Sequence, residues 1–271
     1  MKDGGVLKIR YKLLLNVVVL AIVILIWNSK HEFSKQTFKA NGDGVSKIYV
    51  TGDIHGLLDI DRILSINNLD EDDYLIILGD FGLLWDNGRK EKKALKKLNS
   101  KPFTTLFIEG NHENFDMLNA LPVESWNGGK IHKVKEKVIH LMRGEVFTIN
   151  NKKFFVFGGG TSIDKKMRKE HVSWWKEELP SQVEIENGIK NLYKHNYKVD
   201  YVLTHTADTA NLEAIGDLMG FSPSEDSCNK FFSQIKSKLS YDKWYFGHFH
   251  LDWNINEKDR VVLENLLEVG Q

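Results

Sequence analysis

Side chains of the kinds that bind metal ions recur at five places where a short apolar run ends. They are Asp53 and His55, Asp80, Asn111 and His112, His205, and His248 and His250. Imidazole nitrogens together with carboxylate and amide oxygens are common ligands of divalent metal ions. One histidine after a strand is more often structural, but the same chemistry at five such ends predicts a metal centre.

The first of these places is the stretch Thr51–Gly56, with the sequence TGDIHG, which follows the strand-like run Lys47–Val50. Residues two apart in an extended segment point to the same side, so Asp53 and His55 can bind one ion together. Taken alone, the pair is better explained as an aspartate in a turn and an incidental histidine. The interpretation as a metal site therefore depends on the other four places.

The spacing of these residues predicts how the fold brings them together. Asp80 follows Asp53 by 27 residues, and Asn111 follows Asp80 by 31 residues. A strand-helix-strand unit takes roughly 30 residues, and ligands collect beyond the carboxyl ends of the strands in such sheets. We therefore expect the three side chains to meet at one edge of a sheet.

The remainder of the chain predicts more strands. Short apolar runs between residues 131 and 157, joined by Arg143-Gly144 and Asn150-Asn151, are typical of antiparallel hairpins. Two later runs, Val199–His205 and Lys243–His250, again end in histidine. The pattern as a whole predicts an α/β fold.

Composition excludes some classes of protein. The chain has 271 residues, with 37 basic and 37 acidic side chains, so no global charge attracts nucleic acid. Its one cysteine, Cys228, excludes an internal disulfide and a thiolate zinc cluster.

The amino terminus predicts membrane attachment. Leu13–Trp27 contains one polar residue, Asn16, and lies at the lower limit of the roughly 17 to 25 residues of a membrane span. Basic residues precede it, and no small-x-small cleavage site follows, which favours an uncleaved anchor over a cleaved signal or a buried helix. Lysines follow it as well, so the side of the membrane is left open. The expected division is a basic segment 1–12, a transmembrane anchor 13–27, a linker 28–46 and a domain 47–271 that carries the predicted metal centre.

The motifs together resemble those of the calcineurin-like metallophosphoesterases. They occur in the family's order as Gly52-Asp53-Ile54-His55-Gly56, Gly79-Asp80, Gly110-Asn111-His112-Glu113, His205, and Gly247-His248-Phe249-His250. The resemblance spans residues 48–250. It implies a two-sheet β-sandwich flanked by helices, with four layers in the order α/β/β/α.

The resemblance also implies a ligand set for two divalent ions. The first ion would be bound by Asp53, His55, Asp80 and His250. The second would be bound by Asp80, Asn111, His205 and His248, with Asp80 as the bridge. Mixed imidazole and carboxylate ligands favour manganese, iron or zinc. A hydroxide held between the ions would attack phosphorus, and His112 would protonate the leaving oxygen.

The substrate class is less sharply indicated. In protein serine/threonine phosphatases the second motif continues as GDxxDRG and an arginine precedes GNHE, whereas here Phe81 follows Asp80 and Glu109 precedes Gly110. Both phosphate-binding arginines are missing, which favours a phosphodiester or nucleotide-type substrate over a phosphoprotein. A non-enzymatic alternative is a membrane-tethered scaffold that binds metal ions. Asp86 is a candidate to orient His112.

Residues 157–178 resemble a segment of bacterial and phage members of the superfamily. Arg168 in this segment is either a replacement phosphate-binding residue or a surface arginine. Trp174 and Trp175 form either an aromatic wall for a flat substrate group or a packed lid. The oligomeric state is left open by the sequence.

Overall fold

The computed structural model describes residues 46–271, which form two β-sheets with helices on their outer faces. The predicted segments 1–12 and 13–27 lie outside the described residues, as does the predicted linker apart from Ser46. Within residues 46–271, no helix is long and apolar enough to cross a membrane.

The thirteen strands of the described residues divide between the two sheets. Their bounds are β1 Ile48–Thr51, β2 Tyr74–Ile77, β3 Thr104–Phe107, β4 Val123–Trp126, β5 Gly129–Lys135, β6 Val138–Leu141, β7 Glu145–Ile149, β8 Lys152–Phe157, β9 Tyr201–Thr204, β10 Lys243–Phe246, β11 Trp253–Asn254, β12 Asp259–Val261 and β13 Leu267–Glu268. The first sheet has the order β13-β1-β2-β3-β6-β5-β4, and the second has the order β11-β12-β10-β9-β8-β7.

Each sheet has a parallel centre and antiparallel margins. In the first sheet β1, β2, β3 and β6 are parallel neighbours, and in the second β8, β9, β10 and β12 are. The parallel strands therefore direct their carboxyl ends to the same edge of their sheet. This is the edge at which we expected the metal-binding side chains.

Six α-helices flank the sheets in the described part of the chain. They are α1 Ile60–Leu64, α2 Arg89–Asn99, α3 Phe115–Asn119, α4 Gln182–Lys194, α5 Thr209–Met219 and α6 Ser227–Lys236. Three short 3-10 helices occupy Gly56–Leu58, Lys165–Met167 and Lys176–Glu178. Helix α2 buries Ala94, Leu95 and Leu98, the apolar stripe of a segment that is otherwise rich in lysine.

Side-chain alternation along β2 shows how the layers form. Leu75 and Ile77 belong to the cluster that packs beneath α1 and α2, while Ile76 lies in the core between the two sheets. Val156 and Leu203 of the second sheet enter the same intersheet core. A separate cluster joins the outer face of the second sheet to α4, α5 and α6. The predicted α/β/β/α sandwich is confirmed.

One of the two predicted hairpin turns is wrong. Asn150 and Asn151, with φ angles of 50° and 61°, join β7 to β8 in a hairpin. Arg143-Gly144 instead carries the chain from β6 in the first sheet to β7 in the second. The reason lies in Arg143, which is buried and pairs with Glu109, a contact that a local turn signal does not reveal.

Candidate metal centre

The residues predicted to bind metal lie together, beyond the carboxyl ends of β1, β2, β3, β9 and β10. Each strand is followed at once by a tight loop that carries one or two of these side chains. The loops meet across the gap between the two sheets, where His205 follows β9 and its Nδ1 contacts the carbonyl oxygen of Leu78 at the end of β2.

The first group of side chains comes from Asp53, His55 and His250. Oδ2 of Asp53 lies 3.3 Å from Nε2 of His250 and 3.9 Å from Nε2 of His55. The two Nε2 atoms are themselves 2.9 Å apart. One atom from each residue lies within 4.8 Å of the other two, so the three could hold one ion.

The Asp80 carboxylate lies between two of the predicted ligands. Its Oδ2 is 3.6 Å from Nδ1 of His55, and its Oδ1 is 3.5 Å from Nε2 of His205. The same His205 nitrogen is 3.0 Å from Oδ1 of Asn111. One oxygen of Asp80 therefore faces a predicted ligand of the first ion, and the other oxygen faces a predicted ligand of the second.

His248 joins the centre through its ring and its backbone. The centroid of its ring lies 4.9 Å from the centroid of the His205 ring. Its backbone N–H donates to Oδ1 of Asp53 at 3.0 Å. Burial, with a smaller effect from His205, lowers the pKa of His248 to about 3. The imidazole is then neutral at neutral pH, which is the form that binds metal.

The donor set fits divalent cations. Oδ2 of Asp53 is buried without a hydrogen-bond partner, and the His250 nitrogen at 3.3 Å is not aligned to supply one. Burial opposes ionisation, but contact with His250 and the charge of His205 lower the pKa of Asp53 below its ordinary value. An ionised, buried oxygen without a partner is costly unless a cation satisfies it.

Two glycines allow the loops to approach so closely. A Cβ atom on Gly110 would lie 2.0 Å from Oδ1 of Asp80, and one on Gly247 would lie 2.3 Å from Oδ1 of Asp53. Any side chain at either position would displace a carboxylate that belongs to another motif. The glycines of the motifs thus make room for the carboxylates of their neighbours.

Four ligand-type residues adopt a left-handed backbone. The φ angles are 47° at His55, 47° at Asp80, 70° at His248 and 50° at His250. Such conformations cost roughly 1–3 kcal/mol each and persist at functional sites where surrounding structure enforces them. The left-handed backbone at these four residues directs their side chains toward the same region.

His112 lies at the rim of this group. Its backbone N–H donates to Oδ1 of Asp80 at 2.7 Å, and its ring centroid is 5.2 Å from that of His55. With His55 and Asp80 it forms a further set of atoms close enough to share an ion. Burial lowers the pKa of His112; the Asp80 charge opposes this effect, and the Arg168 charge adds to it.

The predicted substrate-binding residues lie in the loop after β8. Arg168 is half-buried, pairs with Asp164 at 2.7 Å and donates to the carbonyl oxygen of Ser173 at 3.0 Å. Trp174 is half-buried. Trp175 is buried, and its Nε1 donates to Asp116 at 2.7 Å.

Asp86, the candidate to orient His112, is an exposed residue in a surface turn. Its Oδ1 accepts from the N–H of Gly88 at 2.7 Å. The carboxylate is thus engaged by its own turn. The structure places no contact between Asp86 and His112 among the described residues.

Two further residues support the centre but were not singled out from the sequence. The buried Glu113 carboxylate accepts from the N–H groups of Phe81, at 2.7 Å, and Gly82, at 3.1 Å, and so holds the loop after Asp80. Ser162 Oγ accepts from Nδ2 of Asn111 at 3.1 Å. Glu113 belongs to the motif Gly110-Asn111-His112-Glu113, so its role near the centre could have been predicted from the sequence. No spacing or periodicity in the sequence indicates a role for Ser162.

The sequence match to a family model identifies the family of this chain. Residues 46–252 match the family model of the calcineurin-like phosphoesterases. The chain belongs to this family. No curated protein matches the chain. Among solved structures, the phosphopantetheinyl hydrolase PptH from Mycobacterium tuberculosis is similar to this calcineurin-like phosphoesterase over 80% of this chain and 88% of that one, with 11% identity and a TM-score of 0.43.

Proposed function

We propose that this calcineurin-like phosphoesterase hydrolyses a phosphodiester or nucleotide-type substrate at a centre of two divalent ions. The observation that carries the proposal is the Asp80 carboxylate, whose two oxygens face His55 and His205 at 3.6 and 3.5 Å. A shared anionic ligand is the feature that a pair of closely spaced cations requires. Manganese, iron and zinc suit the mixture of imidazole, carboxylate and amide donors.

Asp53, His55, Asp80 and His250 would hold one ion, and Asp80, Asn111, His205 and His248 the other. When bound, the ions would supply an activated water nucleophile and neutralise charge on the phosphoryl oxygens. The chain's own contribution to proton transfer is His112. It lies at the rim, where its protonated imidazole would donate a proton to the leaving oxygen.

The negative charge of a bound phosphoester would favour the protonated form of His112 and so counter the effect of burial on its pKa. Arg168, in the loop after β8, is the candidate that would bind a phosphoryl oxygen. Its charge is close enough to His112 to lower the pKa of that histidine. Trp174, which remains half-exposed, would contact a flat group of the substrate. Trp175 was predicted for the same role, and its contact with Asp116 would support the loop.

A phosphoprotein substrate is the alternative. It is less well supported because Glu109, at the position of a substrate-binding arginine, is buried and pairs with Arg143. A metal-binding scaffold without activity is a second alternative. It is less well supported because the proton donor and the bridging carboxylate are both retained. We further propose that residues 13–27 anchor the protein in a membrane.

The test is hydrolysis of two chromogenic esters, p-nitrophenyl phosphate and its bis-ester, by the full-length chain with and without added Mn²⁺. The proposal predicts turnover that requires the metal and a higher kcat/KM for the diester. Asp80→Asn is the control and should reduce turnover of both esters by about 100-fold or more, because the shared anionic ligand is lost. A preference for the monoester would favour the phosphatase alternative, and no turnover of either ester by a metal-loaded chain would favour the scaffold.

A further inference from the structure

The amide of Asn111 is held at both ends. Its Oδ1 lies 3.0 Å from Nε2 of His205, on the side of the metal centre. Its Nδ2 donates to Oγ of Ser162 at 3.1 Å, on the side away from the metal centre. Ser162 is 2% exposed and Asn111 is 5% exposed, so water does not compete for either contact.

The two ends of an asparagine amide differ in chemistry although they have nearly the same shape. The oxygen is an acceptor and a metal ligand, whereas the NH₂ group is a donor only. The terminal torsion of asparagine is broad, so a half-turn of the amide costs little unless neighbouring groups oppose it. In the turned state Asn111 would present two N–H groups to a cation and cease to be a ligand.

Ser162 can oppose that half-turn only if its hydroxyl acts as an acceptor toward Asn111. Glu178 supplies the reason that it does. The Glu178 carboxylate is 1% exposed, and its Oε1 accepts from the backbone N–H of Ser162 at 3.2 Å. Burial raises the pKa of Glu178, and hydrogen bonding to the Ser162 side chain opposes that shift. A hydroxyl hydrogen directed to this buried carboxylate would leave the lone pairs of Oγ facing Asn111, the arrangement in which Nδ2 of Asn111 donates to Oγ.

We propose that Ser162 is a positioning residue that keeps the amide oxygen of Asn111 toward the metal centre, and that Glu178 orients the Ser162 hydroxyl for this task. The inference rests on the proposed function, because it assigns Asn111 as a metal ligand. It adds a series of contacts between three buried residues, from the Asn111 amide to the Ser162 hydroxyl and from the Ser162 backbone N–H to the Glu178 carboxylate. These contacts connect the centre to the loop that carries Arg168 and Trp174.

The first experiment measures Mn²⁺ binding to the metal-free, full-length chain by titration calorimetry. Ser162→Ala should weaken one of the two binding events by about 10- to 100-fold, the usual effect of losing a group that orients a metal ligand. Ser162→Thr keeps the hydroxyl and should restore the affinity to within about threefold of wild type. Thr105→Val, which removes another buried hydroxyl at a distance from the centre, should leave both events unchanged.

The second experiment separates positioning from general damage to the fold. Asn111→Asp presents an oxygen at either end of its side chain, so it needs no group to choose between the ends. Adding Ser162→Ala to Asn111→Asp should therefore change Mn²⁺ affinity by less than about threefold. Glu178→Met keeps much of the side-chain volume, removes both acceptor oxygens and serves if Ser162→Ala does not fold. In the chain that has Asn111 it should weaken the same binding event, and in Asn111→Asp it should leave that event unchanged.

The outcomes distinguish the inference from the function on which it rests. A wild-type chain that binds no Mn²⁺ would overturn the proposed function itself. A wild-type chain that binds two ions, with unchanged affinities in Ser162→Ala and Glu178→Met, would overturn the role of Ser162 alone. Ser162→Ala could also lower Mn²⁺ affinity equally in the wild-type chain and in Asn111→Asp. That result would show that Ser162 acts by packing, and it would overturn the positioning role as well.

Discussion

Single residues of the centre are held by backbone groups from the neighbouring motifs. The N–H of His112 donates to Asp80, and the N–H of His248 donates to Asp53. Each carboxylate is thereby fixed by a residue that itself presents an imidazole to the site. A substitution that displaces one of these residues should consequently also displace a residue of a second motif.

His112→Ala tests the proton-donor role at the residue scale. General acid catalysis contributes about 10²- to 10⁴-fold to a rate, so kcat should fall by at least about 100-fold while both ions remain bound. Steady-state kinetics and elemental analysis of the same preparation give the two readouts. Loss of bound metal in parallel with activity would instead identify His112 as a ligand.

Gly110→Ala tests the close approach of the motifs. The new methyl group would meet Oδ1 of Asp80 at 2.0 Å, so we expect Mn²⁺ affinity to fall by about 10-fold or more through displacement of that carboxylate. Gly220→Ala is the matched control, because a Cβ there meets nothing within 4 Å. Its φ of 73° costs about 1–2 kcal/mol of stability as alanine but should leave Mn²⁺ affinity unchanged. Equal affinities of the two variants would contradict the explanation.

At the scale of elements, the hairpin of β5 and β6 contacts the segment after β3 that leads into the loop of Asn111. Nδ1 of His132 lies 3.1 Å from Nδ1 of His140, and Nε2 of His140 lies 2.8 Å from Oε2 of Glu109. Glu109 also pairs with Arg143 and directly precedes the loop of Gly110 and Asn111. Burial opposes ionisation, but the Arg143 charge and contact with His140 lower the pKa of Glu109 to about 2.

This hairpin should make the stability of the fold depend on pH. Burial, with the charge of His140, lowers the pKa of His132 to about 4, whereas an unfolded histidine titrates near 6.5. Between these values the unfolded chain binds more protons, so the contribution of His132 is complete above about pH 6.5 and is lost as the pH falls toward 4.

The measurement is the urea midpoint at about pH 7.5 and about pH 5, with chelator present, for wild type and His132→Gln. Wild type should lose stability on acidification, and the variant should lose less because its amide does not titrate. The difference between the two proteins removes the titration of the histidines that do not contact His132. An equal loss in both would show that His132 is not the group responsible.

The same elements show where sequence patterns suffice and where they fail. The short apolar run of β2 and the apolar stripe of α2 are local features that can be read along the chain. The connection at Arg143-Gly144 is not local, because the burial of Arg143 depends on Glu109, 34 residues away. A turn signal therefore suggested a hairpin where the chain passes between sheets.

At the scale of the whole molecule, the sandwich turns five separate loops into one site. The parallel strands of both sheets end at a common edge, so distance along the chain becomes proximity in space. The metal-binding residue types were evident in the sequence because they recur at strand ends. The supporting residues Ser162 and Glu178 were not, since only the fold brings them beside Asn111.

The central claim is that Asp80 allows the centre to bind two ions, and counting the ions tests it most directly. The full-length chain is stripped with chelator, reloaded with Mn²⁺, freed of excess metal and measured by elemental analysis beside Asp80→Asn. Two ions per wild-type chain and at most one per Asp80→Asn chain are expected, because paired cations need the shared carboxylate. A wild-type chain that retains no ion, or an Asp80→Asn chain that still retains two, would contradict the account.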